Sequence, residues 1–295
     1  MKRTMLSLVR LASVGVSMLI TLGCGNPASP WETPTPPRGP EPSASQRLAA
    51  LALFEIAGWH AFLTTSLLTY GTDYGKVLWT NGPCAFGQGS MQGTLDGGLT
   101  PTPGTLLPTG SHTYVVTFRN CPVNYWGNEA FELDGVASVA YSTAEWRSDL
   151  SAMVSADSVR GRELGARSGL NDVTADGSGV WTRSSNDSTT YTPATGSRLV
   201  NNSTTSVATF RGGSYSSIRS SSQGTPSRSH RFDNLKVTVN GTEYTLNGSL
   251  IEISASSTTY AGEIRIVTGG MLVARIYGEG GNDLRVEVLV PLVPL

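Results

Sequence analysis

A chain of 295 residues is long enough to bury a substantial core, as one large all-β domain or two smaller ones. Only 15% of its residues are charged, 34 are glycine, and serine and threonine run throughout, a profile of many strands joined by turns and unlike that of a cytosolic helical enzyme. The formal net charge of -1, with lysine only at Lys2, Lys76 and Lys236, supplies no general attraction to nucleic acid or other polyanions.

In chain order the first element is a leader over residues 1–23. Lys2, Arg3 and Arg10 accompany an apolar run from Leu11 to Leu22, followed by the small Gly23 and then Cys24, the pattern of a secretory signal. Its end resembles the lipobox of bacterial lipoproteins, in which a hydrophobic stretch runs into a small residue and then a cysteine that is diacylated, freed by cleavage on its N-terminal side and N-acylated. The resemblance covers these residues alone. It implies lipidation at Cys24 and a membrane partner, since several acyl chains anchor stably where one is marginal. With Gly25 and no Asp after the cysteine, it also implies a place in the cell envelope at the outer membrane. An ordinary cleaved signal with an incidental Cys24, or an uncleaved anchor, is the alternative.

Residues 24–44, with the run "GNPASPWETPTPPRGPEPSAS", are too rich in proline for helix or sheet and read as a semi-rigid extended tether. Ser43 with Gln46 then offers a capping box, and residues 45–71 read as a helix that is apolar nearly all round. Glu55, Gly58, His60 and three threonines inside it argue for a core helix lying on a sheet over a second transmembrane span.

From residue 72 to 295 the pattern turns to period two, with turn residues at short intervals, as in "HTYVVTFRN", "EAFELDGVASVAYST" and "GEIRIVTGGMLVARIYGEG". This predicts a mainly β fold: a large twisted antiparallel sheet, meander-connected and curved or sandwich-like, with one N-terminal helix packed on it. Asn240-Gly241 and the segment Gly280 to Asp283 mark hairpin turns. A weak repeat lays residues 118–142 on 232–256, each reading strand, hairpin, strand with a shared Leu-Asp-Gly or Leu-Asn-Gly. Cys121 falls at a predicted corner where the second copy has Leu235, so the corner forms without a thiol. With Cys24 acylated, Cys84 and Cys121 are the remaining cysteines of an exported domain and are expected to form a disulfide. Pro291 and Pro294 in the final "VLVPLVPL" argue against an outer-membrane barrel.

No constellation carries chemistry. His60, His112 and His230 share no metal-ligand spacing, there is no Gly-x-Ser-x-Gly elbow, and "GQGSMQG" is followed by residues unable to form the helix that a dinucleotide loop needs. The "GEGGNDL" segment is explained as a turn, and Glu129 with Glu132 as solvated strand residues. No catalytic residue, metal or cofactor is assigned. Two binding candidates stand out. Tyr125 and Trp126 sit at a predicted turn beside the disulfide, suited to stacking on a sugar or anchoring a partner unless they fold back on the sheet edge. The segment from Val159 to Phe232 holds nine arginines against four acidic residues, Arg211, Arg219 and Arg228 among them, in a chain otherwise acidic. Such a segment attracts an anionic envelope glycan, lipopolysaccharide or a protein partner, or is charge complementarity within the molecule. The expected function is a non-catalytic binding or structural module of the envelope; the rival is an envelope hydrolase, acting on glycan or peptide, whose site assembles only in the fold.

Overall fold

The computed structural model describes residues 41–66, 72–73, 76–77, 81–82, 84, 89–96, 98–99, 110–125, 129–141, 150–163, 169–185, 188–222, 225–254, 258–281 and 283–295. All lie in one compact unit, Gly39–Leu295. Among the described residues a single helix, α1 (Ala44–Ser66), is followed by sixteen strands. These are β1 (Thr72–Asp73), β2 (Lys76–Val77), β3 (Asn81–Gly82), β4 (Ser90–Leu95), β5 (His112–Tyr125), β6 (Glu129–Tyr141), β7 (Leu150–Glu163), β8 (Asp172–Ser185), β9 (Ser188–Pro193), β10 (Arg198–Asn201), β11 (Ser206–Ser222), β12 (Thr225–Val239), β13 (Thr242–Ser254), β14 (Thr258–Thr268), β15 (Met271–Glu279) and β16 (Arg285–Val288).

β1 and β2 form a ladder of their own, and β3 to β16 make one 14-stranded antiparallel sheet. The protein is therefore mainly β, with one large sheet beside the small β1–β2 ladder among the described residues. Strand neighbours follow sequence order except in one lane, which β9 and β10 share end to end between β8 and β11. The β12–β13 hairpin turns at Asn240 (φ 47°) and Gly241 (φ 88°), the left-handed pair that a two-residue turn demands.

α1 runs across the strands. Its first turn bonds to Leu292 and Leu284 through Gln46 and Arg47, Phe54 packs on Phe232 of β12, His60 reaches β8, and Leu63 lies over Gly161 of β7. Twenty-three residues make a helix about 34 Å long, whereas the nine inter-strand steps from β16 to β6 span about 43 Å when flat. The sheet must therefore curl around the helix. Burial agrees: Ala50, Leu53, Ile56, Ala57, His60 and Leu63 are wholly buried, and Ala49, Ala52 and Trp59 on the other flank are buried too, as expected of an alanine- and leucine-rich helix with no polar face. The Ser43 hydroxyl accepts the Gln46 N–H at 3.3 Å, but the rest of the capping box is diverted. Gln46 instead holds the backbone of Leu292, its amide donating to the carbonyl at 3.2 Å and its oxygen accepting the N–H at 2.6 Å.

A line of β-bulges creases the sheet across its width. In β5, β7 and β12 the residues Asn120, Ser158 and Asn234 have φ of 45°, 53° and 47°, and the ladder slips there. Each N–H so freed is accepted at 2.8 Å by a side chain of the next strand, Asp134, Asp176 and Asn247 respectively, and each acceptor precedes a glycine. The two halves of the sequence repeat thus carry the same capped bulge, and Ser158 with Asp176 is a third copy. Cys121 sits within β5 on this crease and not at the hairpin end. It is disulfide-bonded to Cys84 with a Cα–Cα distance of 5.4 Å across a separation of 37 residues. By the chain-entropy argument such a closure stabilises by about 4 kcal/mol.

The crease needs glycine where strands cross most closely. At Gly213 (φ 81°) a Cβ would lie 2.1 Å from the Asn234 carbonyl oxygen, and at Gly135 (φ 111°) 2.4 Å from that of Ser158. Gly213→Ala should therefore lower the unfolding free energy by about 2–4 kcal/mol in urea melts, while Gly98→Ala, with open space around it, should change it by less than about 0.5 kcal/mol. Equal effects of the two substitutions would remove the argument for the crease.

Candidate functional site

Because the bulges shift the side-chain phase, the concave face reads Tyr114, Val116, Phe118 and then Cys121 in β5, and Phe232, Leu235, Val237 and Val239 in β12, all buried. The convex face is mixed: the hydroxyls of Ser138 and Ser155, of Thr190 and Ser216, and of Ser229 and Ser249 pair across neighbouring strands at 2.6, 2.9 and 3.2 Å, while Met153, Val180, Ile218 and Ile251 stand exposed among them. Among the described residues no helix is long and apolar enough to cross a membrane.

The concave face carries two polar clusters where α1 lies on it. At the first, buried His60 stands between Tyr191, whose hydroxyl lies 2.8 Å from Nδ1, and the carbonyl of Asp176, 3.1 Å from Nε2. The tyrosine donates and Nε2–H is donated in turn, so the ring is neutral. Burial pushes its pKa down to about 4, against a smaller upward pull from Asp176.

The second cluster belongs to β11, β12 and β13. Tyr215 Oη lies 2.8 Å from His230 Nδ1, and His230 Nε2 lies 3.9 Å from the Glu252 carboxylate. With the tyrosine hydroxyl donating to Nδ1, the Nε2 proton faces Glu252. Burial lowers the His230 pKa, Glu252 raises it, and Arg228 lowers it. Arg228 donates from Nε to the Ser217 hydroxyl at 2.9 Å. Ser217, His230 and Glu252 have the residue types of a hydrolase relay, and Ser217 is the register partner of His230. The relay is nonetheless not assembled, because Nδ1 is engaged by Tyr215 and the serine oxygen by Arg228. Tyr215 is itself under the helix: its hydroxyl lies 3.6 Å from where a Cβ on Gly58 would be. The site can orient donors and acceptors toward a ligand, but it presents no exposed nucleophile.

The other residues singled out from sequence are dispersed. Cys24 and Trp126 lie outside the described residues, as does the side chain of Tyr125, whose backbone ends β5. Arg211 is exposed at the crease, its Nε 3.4 Å from Thr238 Oγ1, and is not gathered with Arg228. Arg219 and Arg228 are register partners across β11 and β12. Much of the basic segment is complementarity within the molecule, since Arg160 pairs with Asp172, Arg162 with Glu132 and Arg198 with Asp176. His112 is a separate feature, bonded to Asp96 at 2.5 Å. Sequence reasoning missed Tyr215, Glu252, Tyr191 and Asp176 as partners of the histidines. The available signal was His60 inside an apolar helix, where burial requires hydrogen-bond partners; His230, flanked by Ser229 and Arg231, gave none.

No protein-family model, curated protein or solved structure matches this chain.

The neutral His60 makes acid destabilising. An unfolded histidine takes up its proton near pH 6.5 and the folded one near 4, so between these values the unfolded state binds more protons. Stability falls as the pH drops through this window, by on the order of 3 kcal/mol from His60 alone. Urea unfolding at pH 7 and pH 4.5 should show this loss, and His60→Leu combined with Tyr191→Phe should reduce the slope while leaving the His230 contribution. An unchanged slope in the double variant would refute the assignment.

Proposed function

We propose that this protein is a lipid-anchored lipoprotein of the bacterial envelope, held at the outer membrane through Cys24, and that its folded part binds a ligand or partner without transforming it. The anchor rests on the apolar run that ends at Gly23 and Cys24 and on the proline-rich tether after it. An oxidising compartment accords with the Cys84–Cys121 disulfide.

One observation carries the binding reading over the hydrolase: α1 lies on the concave face, and His230 and Ser217 there are engaged by Tyr215 and Arg228 and not by each other. Among the described residues, the inner surface beyond the helix presents the part-exposed Arg228 of β12 opposite Glu252 of β13. A charged row on a rigid sheet suits recognition, because its side chains are held by the strands and by each other.

Mass spectrometry of protein from envelope fractions should show a mature chain beginning at an acylated Cys24, and Cys24→Ser should release the protein from the membrane fraction. A soluble mature chain that begins elsewhere and bears no lipid would rule the anchor out.

A further inference from the structure

Where β8, β9, β11 and β12 run past α1, their inward side chains continue in two rows. Trp181 stands opposite Tyr191 and Tyr191 opposite Tyr215; two residues further along, Thr189 stands opposite Ser217 and Ser217 opposite His230. Trp181 packs against the core yet stays part-exposed, as does Thr189. Beside them two polar groups are incompletely bonded. The Ser217 hydroxyl, in a residue only 9% exposed, accepts the Arg228 Nε–H at 2.9 Å and has no acceptor for its own proton among the described residues. His230, held at Nδ1 by Tyr215, brings Nε2 only to 3.9 Å from the Glu252 carboxylate, beyond hydrogen-bonding reach. Buried polar groups of a native protein are ordinarily bonded, so both call for a group from outside the chain.

We propose that this stretch of the concave face is a glycan-binding site, with Trp181 as the platform for one sugar ring and Ser217 and His230 as donors to hydroxyls of a neighbouring ring. This rests on the binding reading above and names its ligand class. The gap between His230 Nε2 and Glu252 suits an oxygen that accepts from the imidazole and donates to the carboxylate, as a sugar hydroxyl does. An anionic group there would lie against Glu252, and an ammonium would meet the imidazole N–H and the guanidinium of Arg228, the register partner of Glu252. A pyranose also carries an apolar C–H face, for which a flat indole is the matching surface. Trp181 and Ser217 lie two strand steps and two residues apart, about 12 Å between Cα atoms and more than one ring covers, so the ligand is an oligosaccharide. The donors are set before it arrives: Arg228 fixes Ser217 Oγ, Tyr215 fixes the imidazole, and Thr189 donates to the Ser217 carbonyl at 3.3 Å.

The test uses the full mature chain, with maltotriose, cellotriose and chitotriose as glycan probes and penta-alanine as a peptide probe, read by titration calorimetry and saturation-transfer NMR. Saturable binding of a trisaccharide, with transfer to its ring protons, is the expected result. Trp181→Leu, which keeps apolar bulk and removes the platform, and Ser217→Ala should each weaken that binding by about tenfold or more. Arg211→Gln, on the convex side of the crease, should leave it unchanged. Should Trp181→Leu fail to fold, Ser217→Ala, which removes a single oxygen, decides the matter alone. No binding of any trisaccharide by wild type, or undiminished binding by either folded variant, overturns the proposal. Penta-alanine bound in place of the glycans overturns it too but keeps the binding reading, whereas release of shorter sugars from a bound trisaccharide keeps the glycan site and overturns the non-catalytic reading.

Discussion

The fold depends on the contact between His60 and Asp176. Asp176 sits on the crease of β8 and uses both of its polar ends: its carboxylate accepts the N–H of Ser158 at 2.8 Å, and its main-chain carbonyl takes the His60 Nε2–H at 3.1 Å. The bulge that bends the sheet is thereby tied to the helix around which it bends. A histidine serves here because one neutral ring both accepts from Tyr191 and donates to a carbonyl, so the polar groups of two strands and the helix are satisfied without water. Hydrophobic burial supplies the driving force, but it is non-directional and does not say where along the strands α1 must lie. The hydrogen bonds of His60 do.

The crease also explains why the inner surface changes character along each strand. On one side of it the inward positions of β12 are Leu235, Val237 and Val239; on the other, beyond Phe232, they are His230 and Arg228. A bulge moves the phase by one residue, so a stretch that would have pointed Arg228 and His230 to solvent turns them to the concave face and leaves Arg231 outside. The polar row and the core are consequences of the same backbone irregularity.

This is also where the sequence was legible and where it was not. The helix was visible because a run of alanine and leucine without proline has one stable conformation, and the Asn240-Gly241 turn because few residue pairs adopt it at low cost. Alternation located most strands. It did not locate β9 and β10, whose shared lane is short, polar and defined by pairing alone. The phase shifts were not legible either, because an asparagine or serine with positive φ looks in sequence like any other outward strand residue. The Leu-Asp-Gly and Leu-Asn-Gly repeats were their trace, with Asp134 and Asn247 as the caps. Without Asp176 read as a third cap, neither the crease nor the partners of His60 could be derived. The split of Arg211 from Arg228 has the same origin: eight residues of β11 carry the chain about 26 Å from Arg211 to Arg219, so clustering in sequence was not clustering in space.

The entry to the helix has a mechanical consequence under the proposed anchoring. Gln46 lies three residues past the capping Ser43 and is bonded on both sides of its amide to Leu292. From there the last residues run across the sheet, with the Val293 N–H donating to Tyr244 Oη at 2.9 Å, Asn240 donating to the Pro294 carbonyl at 3.3 Å and buried Asn201 donating to that of Leu295 at 3.0 Å. Pro291 and Pro294, read in sequence as strand breakers, suit a strap that bonds to side chains and leaves the ladder. A pull on the chain N-terminal to Ser43 is thus borne first by Gln46 and Leu292 and then shared among β10, β12 and β13. Tension from a tethered anchor is spread over the sheet and does not draw α1 out of it end first. A helix held only by apolar contacts would resist such a pull one turn at a time, whereas a strap fixed at four points must yield as a unit.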